Sequence, residues 1–446
     1  MSLFLSKNQR IWLIILLSAI FLVSLSYSFY FQIAPSVDAR AYDNIALHLI
    51  QGLGYRESIV GDIIGDNAIA RVGPGYEFFL AIIYYILGHR YAAVWVIQAA
   101  LLSLSAFLIF LTTREVFKDS WNYLLGISSL VFIGFSPDLI TLQGMLMTET
   151  LGVFLVILTT YLFFRCFNKE NQSAPSVIFL AISLALATLV RTPAGFLIFP
   201  MLTYFIVRRQ WKSLLVFIIV FSSLFAPWVI RNYKIYHTFI PTNLAYGIDL
   251  AAGNHPGASG ELEPYGANDL LIAQYGYVKA NSLLVREAAQ FIFTHPLEFL
   301  KITFYRASIY FSFARPTGFW FHLQGLNKII TLLLSSAYSM IIFVLGFWGI
   351  YGAFQLDGEK KQRVSYLLAM LAMMPLAIIG IIVETRYRFL AYPFFSVFAG
   401  YGLSELLARR ISWRPALYLA LLLTANTIFD ILKNIDRIKE RINNFL

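Results

Sequence analysis

Residues 11–31 read IWLIILLSAIFLVSLSYSFYF, an uncharged run preceded by Lys7 and Arg10 and followed closely by Ser36-Val37-Asp38. As a helix the run spans about 31 Å, enough to cross the hydrocarbon core of a bilayer. The basic residues before it resemble the start of a signal peptide. No small-residue cleavage site follows, however, and further apolar segments come later. The stretch is therefore expected to be an uncleaved anchor with its N-terminus in the cytoplasm.

The rest of the chain carries the same signature. It is 59% hydrophobic, 17% aromatic and only 13% charged, against roughly 25% charged for ordinary soluble domains. A water-soluble fold of 446 residues could not hide that much apolar surface. The net charge of +10 does not point to nucleic acid, because much of it lies in short loops at alternate crossings, where the positive-inside bias puts it. The lone Cys166 excludes an internal disulfide, and no Cys/His cluster suggests a structural metal. No P-loop is present, which argues against direct use of a nucleoside triphosphate.

Apolar runs predict spans over 11–31, 91–111, 121–136, 149–165, 176–190, 193–207, 212–230, 328–354, 365–383, 387–408 and 414–431. The expectation is an all-α polytopic bundle of about eleven transmembrane helices with two larger extracytoplasmic segments. Arg114 with Lys118, Arg165 with Lys169, Arg208 with Arg209 and Lys212, Lys360 with Lys361 and Arg363, and Arg409 with Arg410 then all fall inside. Residues 76–88 are short for a crossing, and counting them as one would invert every later cluster. An interfacial or re-entrant helix is expected there. The odd span count leaves the basic stretch from Lys433 to Arg441 outside, against the same bias.

Three regions follow from this threading. Residues 1–230 form an N-terminal membrane half that includes the first outer loop, 32–90. That loop starts helically over Ala39–Ile50 and continues as a Gly/Asp-rich stretch through Asp66. Residues 231–327 form an extracytoplasmic segment with turns around Gly253–Gly266 and an amphipathic helical stretch over 278–310, suited to the membrane surface. Residues 328–446 form the C-terminal membrane helices. No tandem repeat is evident.

Most unusual charges map to the outer face: Asp38, Arg71, Glu149, Arg191, Arg231, Glu384, Arg386 and Arg388. Charges near the membrane are costly, so their convergence reads as a reaction centre at its surface. Asp38 and Tyr42 share a helical face at i, i+4, while Asp43 points elsewhere. A carboxylate here can act as a general base towards a hydroxyl, or simply cap a helix. Arg71, before the Gly73-Pro74-Gly75 turn, can hold a phosphate bidentately or snorkel to lipid headgroups. Glu149, at the outer start of a span, can orient an acceptor or share proton duty with Asp38, or it can serve the helix dipole. Arg191 and Arg231 stand at outer span ends. Arg386 and Arg388 diverge by about 200° if helical, so at most one of them faces a common pocket. Outer arginines run against the positive-inside bias, and a bound anion or a partner carboxylate would account for them. The six histidines show no ligand spacing. Asp62 and Asp66 could bind a divalent ion, but are expected to shape a polar loop.

These stretches resemble the GT-C superfamily of integral membrane glycosyltransferases, in its protein-mannosyltransferase and aminoarabinose-transferase-like branch. Asp38 with Tyr42, Arg71-Val72-Gly73-Pro74-Gly75-Tyr76, Thr148-Glu149, Arg191-Thr192-Pro193, Pro227-Trp228-Val229-Ile230-Arg231-Asn232-Tyr233 and Gly253-Asn254 carry the resemblance. It covers about the first 260 residues in detail. Glu77 stands where a second Pro is expected, and Val72-Gly73 precede Pro74 where one residue is usual. A single acidic residue, Asp38, replaces a pair, which leaves Glu149 as the second carboxylate.

The resemblance implies an active site on the extracytoplasmic face of the plasma membrane; no cofactor is expected, with a divalent metal left open. The donor would be a sugar linked to polyprenyl phosphate, and the acceptor a hydroxyl on a glycan, lipid or protein. Asp38 and Glu149 would be catalytic. Tyr42, Arg71, Arg191, Arg231 and one of Arg386 or Arg388 would bind substrate, the lipid phosphate above all. The alternatives are a flippase of lipid-linked sugars, which would place charges near mid-membrane, and a transferase or polymerase using a diphosphate-linked donor.

Overall fold

The computed structural model describes residues 5–71, 73–167, 173–314, 322–409 and 412–435. Val72, Lys169, Arg410 and the basic tail from residue 436 onward lie outside the described residues. Within them the chain is helical, with one isolated bridge between Glu261 and Val383.

The opening run forms α1 (Lys7–Phe31), started by a reciprocal cap between Ser6 and Gln9. A short link leads to α2 (Asp38–Ile50), one residue earlier than the sequence predicts. The Gly/Asp-rich loop follows, with 3₁₀ turns at Ile63–Gly65 and Asn67–Ala70 begun by the side chains of Asp62 and Asp66. Next come α3 (Gly75–Leu87), α4 (Tyr91–Phe117), α5 (Tyr123–Gly134), α6 (Pro137–Gln143), α7 (Thr148–Cys166), α8 (Ala174–Val190) and α9 (Ile198–Val207). Then follow α10 (Trp211–Ser223), α11 (Ala226–Tyr236), α12 (Ala245–Gly253), α13 (Gly266–Thr294) and α14 (Pro296–Phe311). The chain finishes with α15 (Gly325–Ala353), α16 (Gly358–Ile379), α17 (Tyr392–Leu407) and α18 (Arg414–Lys433).

Among the described residues, α1, α4, α7, α15, α16 and α18 are long and apolar enough to cross a membrane. Two further pairs qualify together: α5 with α6, bent by 52°, and α10 with α11, bent by 41°. In the first pair Pro137 explains the break, since Ser136 before it is pushed into extended geometry, and in the second Pro227 stands in the first turn of α11. α3, α8 and the stretch over 192–207 are apolar but shorter.

Three boundaries differ from expectation. The span predicted over 193–207 opens as a 3₁₀ turn (Thr192–Leu197) before α9. The one predicted over 387–408 is a 3₁₀ arm over Thr385–Ala391, and α17 begins only at Tyr392. The surface stretch over 278–310 is two helices rather than one. Pro296 separates α13 from α14, and α13 is itself kinked at Gly276 (φ 71°), so its second limb begins close to the predicted start at 278.

The core sits where α15, α17 and α5 meet. α17 is buried nearly all round, as a helix at the centre of a membrane bundle must be. Small residues set the spacing. A Cβ on Gly349 would run into the backbone carbonyl of Phe398, and one on Gly400 would meet Ser129. At the periphery, Ile11, Trp12 and Ile14 on α1 and Leu421 and Leu422 on α18 are exposed, as lipid-facing residues are.

Candidate active site

The last turn before α2 holds Val37 at φ 48°, an uncommon conformation for a β-branched residue. Asp38 follows as the first residue of α2, with its side chain part-buried. Arg71 reaches the same point because Asp66 caps the turn before it and Gly73 lets the following loop lie against α8. A Cβ at Gly73 would collide with the backbone carbonyl of Leu189. Arg386 arrives from the 3₁₀ arm after α16.

These three residues form one cluster. Arg71 donates from Nη1 to Oδ1 of Asp38 at 3.2 Å, and Arg386 donates from Nη1 to Oδ2 at 2.9 Å. Each guanidinium has a second carboxylate. Arg71 makes a bidentate pair with Glu57 at 2.8 and 2.9 Å, and Arg386 pairs with Glu384 at 2.6 Å. Burial works against both positive charges. At Arg71 the pairs with Glu57 and Asp38 outweigh it and lift the guanidinium above its ordinary value. At Arg386, Glu384 and its anionic neighbours lift the group well above.

A second pair lies alongside. Arg191 donates to Glu149 at 3.2 Å and to the Thr148 hydroxyl at 3.0 Å, and both charged side chains are almost fully buried. The ring of Tyr387 joins the two groups, with Arg191 at 5.5 Å on it and Arg386 at 5.6 Å. Tyr42 lies buried beneath, edge-on to Tyr76, within the fields of Asp38, Glu149 and Arg386. A small hollow, about the size of one water, is lined by residues 33–36, by Ala39 and by Met145–Met147, which adjoin Asp38 and Glu149 in the chain.

Two expected members stand apart. Arg388 is fully buried on the opposite side of the 3₁₀ arm. It donates to the Ser312 carbonyl at 2.7 Å and the Ser339 hydroxyl at 3.0 Å. At about three residues per turn, neighbours two apart diverge strongly, so only Arg386 faces Asp38. Arg231 stacks among Trp228, Tyr55 and Tyr236 and donates to the Tyr55 carbonyl at 3.0 Å. Asp66 binds the amides of Glu57, Ser58 and Ala68, the loop-shaping role expected of it. No group of three or more His, Cys, Asp or Glu able to hold a metal occurs among the described residues.

Sequence reasoning missed Glu57 and Asp249. Glu57 lies in a polar loop whose fold no periodicity reveals. Asp249 is the only charged residue in α12, and an isolated acid in an Ala/Gly/Leu helix was the available signal. Burial pushes its carboxyl up to about 7, with Arg386 opposing and Glu384 and Asp38 adding to the rise.

Residues 71–230 match the model of the dolichyl-phosphate-mannose-protein mannosyltransferase family. No curated protein matches the chain by sequence. Among solved structures, ArnT from Cupriavidus metallidurans, bound to undecaprenyl phosphate, aligns at 12% identity and TM-score 0.54, over 93% of this chain and 62% of that one. The apo oligosaccharyltransferase of Archaeoglobus fulgidus aligns at 14% identity and TM-score 0.54, over 97% of this chain and 56% of that one. The chain thus spans less than two thirds of either. Residues 71–230 thus resemble that mannosyltransferase family, the chain shares the fold of these two structures, and six of its described helices are long and apolar enough to cross a membrane.

Proposed function

We propose that the chain is a glycosyltransferase that moves a sugar from a polyprenyl-phosphate donor to a hydroxyl on the outer face of the plasma membrane. The acceptor belongs to a glycan, lipid or protein. One observation carries the reading: Asp38, Arg71 and Arg386, far apart in sequence, share a single ion-paired cluster. The similarity to ArnT, solved with undecaprenyl phosphate, supports the donor class.

The chemistry follows from the charges. A polyprenyl tail lies in the bilayer, so the sugar–phosphate bond sits at headgroup depth. As that bond breaks, negative charge grows on the phosphate. Guanidiniums already in place there lower the barrier without reorganising. Asp38 takes the proton of the attacking hydroxyl, and the acceptor oxygen bonds to the anomeric carbon from the face opposite the phosphate. The products are the glycoside, polyprenyl phosphate and protonated Asp38. Glu149 with Arg191 and Tyr42 line the acceptor side, while Arg231 and Arg388 support the walls.

The test is Asp38→Asn in cells otherwise lacking the protein, followed by mass spectrometry of lipids and glycoconjugates. A modification absent from both the deletion and the variant, with the variant still folded in the membrane, is the expected result. Full modification in the variant would remove Asp38 as the base. Release of polyprenyl diphosphate in place of the monophosphate would change the donor class.

A further inference from the structure

Arg306 lies in the body of α14 with its side chain fully buried. It donates from Nη1 to the Ile379 carbonyl at 3.2 Å. From Nη2 it donates to the Gly253 carbonyl and to Oδ1 of Asn254, the latter at 3.2 Å. Gly253 is the last residue of α12 and Ile379 the last of α16. The guanidinium therefore caps two helix C-termini at once, where carbonyls without an intrahelical partner carry partial negative charge. The fit is close. A Cβ at Gly253 would run into the Ile381 carbonyl, so the approach of α12 to the end of α16 needs glycine.

The anchorage continues along the chain. Asn254 donates to the Ile381 carbonyl at 3.2 Å, and the Leu262 amide donates to the Val383 carbonyl at 3.2 Å. Every second carbonyl from Ile379 to Val383 is thus tied down, by Arg306, Asn254 and Leu262 in turn. Next in the chain come Glu384, which pairs with Arg386, and Arg386 itself, which meets Asp38. Beyond them Arg388 donates to the carbonyl of Ser312, the residue that closes α14. α14 therefore grips the arm both before and after Arg386.

We propose that Arg306, with Asn254 beside it, is a positioning residue for the reaction: it fixes the root of the 3₁₀ arm and so sets where the Arg386 guanidinium stands against Asp38 and the donor phosphate. This rests on the glycosyl-transfer reading above. A misplacement of about 1 Å at the reacting centre costs on the order of 10²-fold in rate, so an anchor remote from the chemistry is felt there.

Product formation is measured in membranes that supply their own lipid-linked donor, per folded full-length protein, for Arg306→Met, Arg386→Met and the double variant. Arg306→Met should be about 10- to 100-fold slower than wild type. The double variant should be no slower than Arg386→Met alone, because a misplaced Arg386 and an absent one fail alike. In lipid nanodiscs, undecaprenyl phosphate should bind Arg306→Met about 10-fold more weakly than wild type. Arg306→Lys, which keeps a cation at the two helix ends, should recover most of that affinity. A merely structural residue would lower the yield of folded protein and leave both readouts unchanged. Wild-type rate and affinity in folded Arg306→Met, or losses that multiply in the double variant, overturn the proposal. If Arg306→Met does not fold, Asn254→Ala enters the same cycle, and a wild-type rate or multiplying losses there overturn it equally. If Arg386→Met is slow and Arg306→Met is not, only the positioning role falls. If Arg386→Met keeps its full rate, the glycosyl-transfer reading falls with it.

Discussion

The guanidinium of Arg386 meets Oδ2 of Asp38 at 2.9 Å, across 348 positions of sequence. This contact ties the start of α2 to the 3₁₀ arm that follows α16. Arg386 also holds Glu384, so it fixes Asp38 from a defined direction.

Replacing Arg386 should therefore damage turnover more than folding. Arg386→Met is expected to lower product formation by about 10²–10³-fold, the usual effect of losing one preorganised charge contact. Arg386→Lys should recover little, because one ammonium cannot span both Asp38 and Glu384 as a planar fork does. Rates in membranes, normalised to folded protein, decide this. Near-wild-type turnover in the Met variant would contradict the arrangement.

Glu149 and Arg191 form a nearly dry pair. Removing either partner alone leaves an uncompensated buried charge, which costs about 3–5 kcal/mol. Thermal unfolding in detergent should show Glu149→Leu and Arg191→Met each strongly destabilised. The double variant should be much closer to wild type. If stability is regained in the pair but transfer is not, the chemical contribution of these residues is separated from the structural one.

Asp43 accepts hydrogen bonds from Tyr84 at 2.6 Å and Tyr91 at 2.8 Å, and it pairs with His89 at 3.0 Å. The cluster pins α2, and so Asp38, to the corner between α3 and α4. Tyr84→Phe and Tyr91→Phe should each cost about 1.5–3 kcal/mol, as bonds to a charged group do. The double variant should depart from additivity, because both phenols serve one carboxylate. Independent, additive losses would speak against a shared anchor.

Gly349→Ala is the packing counterpart. The added methyl meets the Phe398 backbone, which cannot move aside as a side chain would. A loss of about 1–3 kcal/mol is expected from forcing α15 and α17 apart. An unshifted unfolding temperature would mean that the two helices do not approach so closely.

The membrane class and most of the Asp38 cluster were legible in sequence, because apolar runs and misplaced charges are local signals. Arg71 and Asp38 could be named together for that reason, and Asp43 could be turned away from Asp38 by helical period alone. What stayed hidden depends on the arms between helices. Whether Arg386 or Arg388 faces Asp38 is decided by the 3₁₀ twist over 385–391, which hydropathy does not encode. Arg231 carries the same charge as Arg71, but its aromatic neighbours draw it aside. Glu57 and Asp249 were passed over because loop closure and the path of α12 bring them in, and neither leaves a periodic trace.

One consequence of the paired arginines concerns how an anion would enter. Asp38, Glu57 and Glu384 already claim the guanidiniums of Arg71 and Arg386. An arriving phosphate must therefore evict a resident counterion. Glu57 and Glu384, each about a quarter exposed, have water ready to receive them, whereas Asp38 is held on both sides. Capture thus becomes an exchange of ion partners, and it would loosen the loop that carries Glu57 as the guest settles.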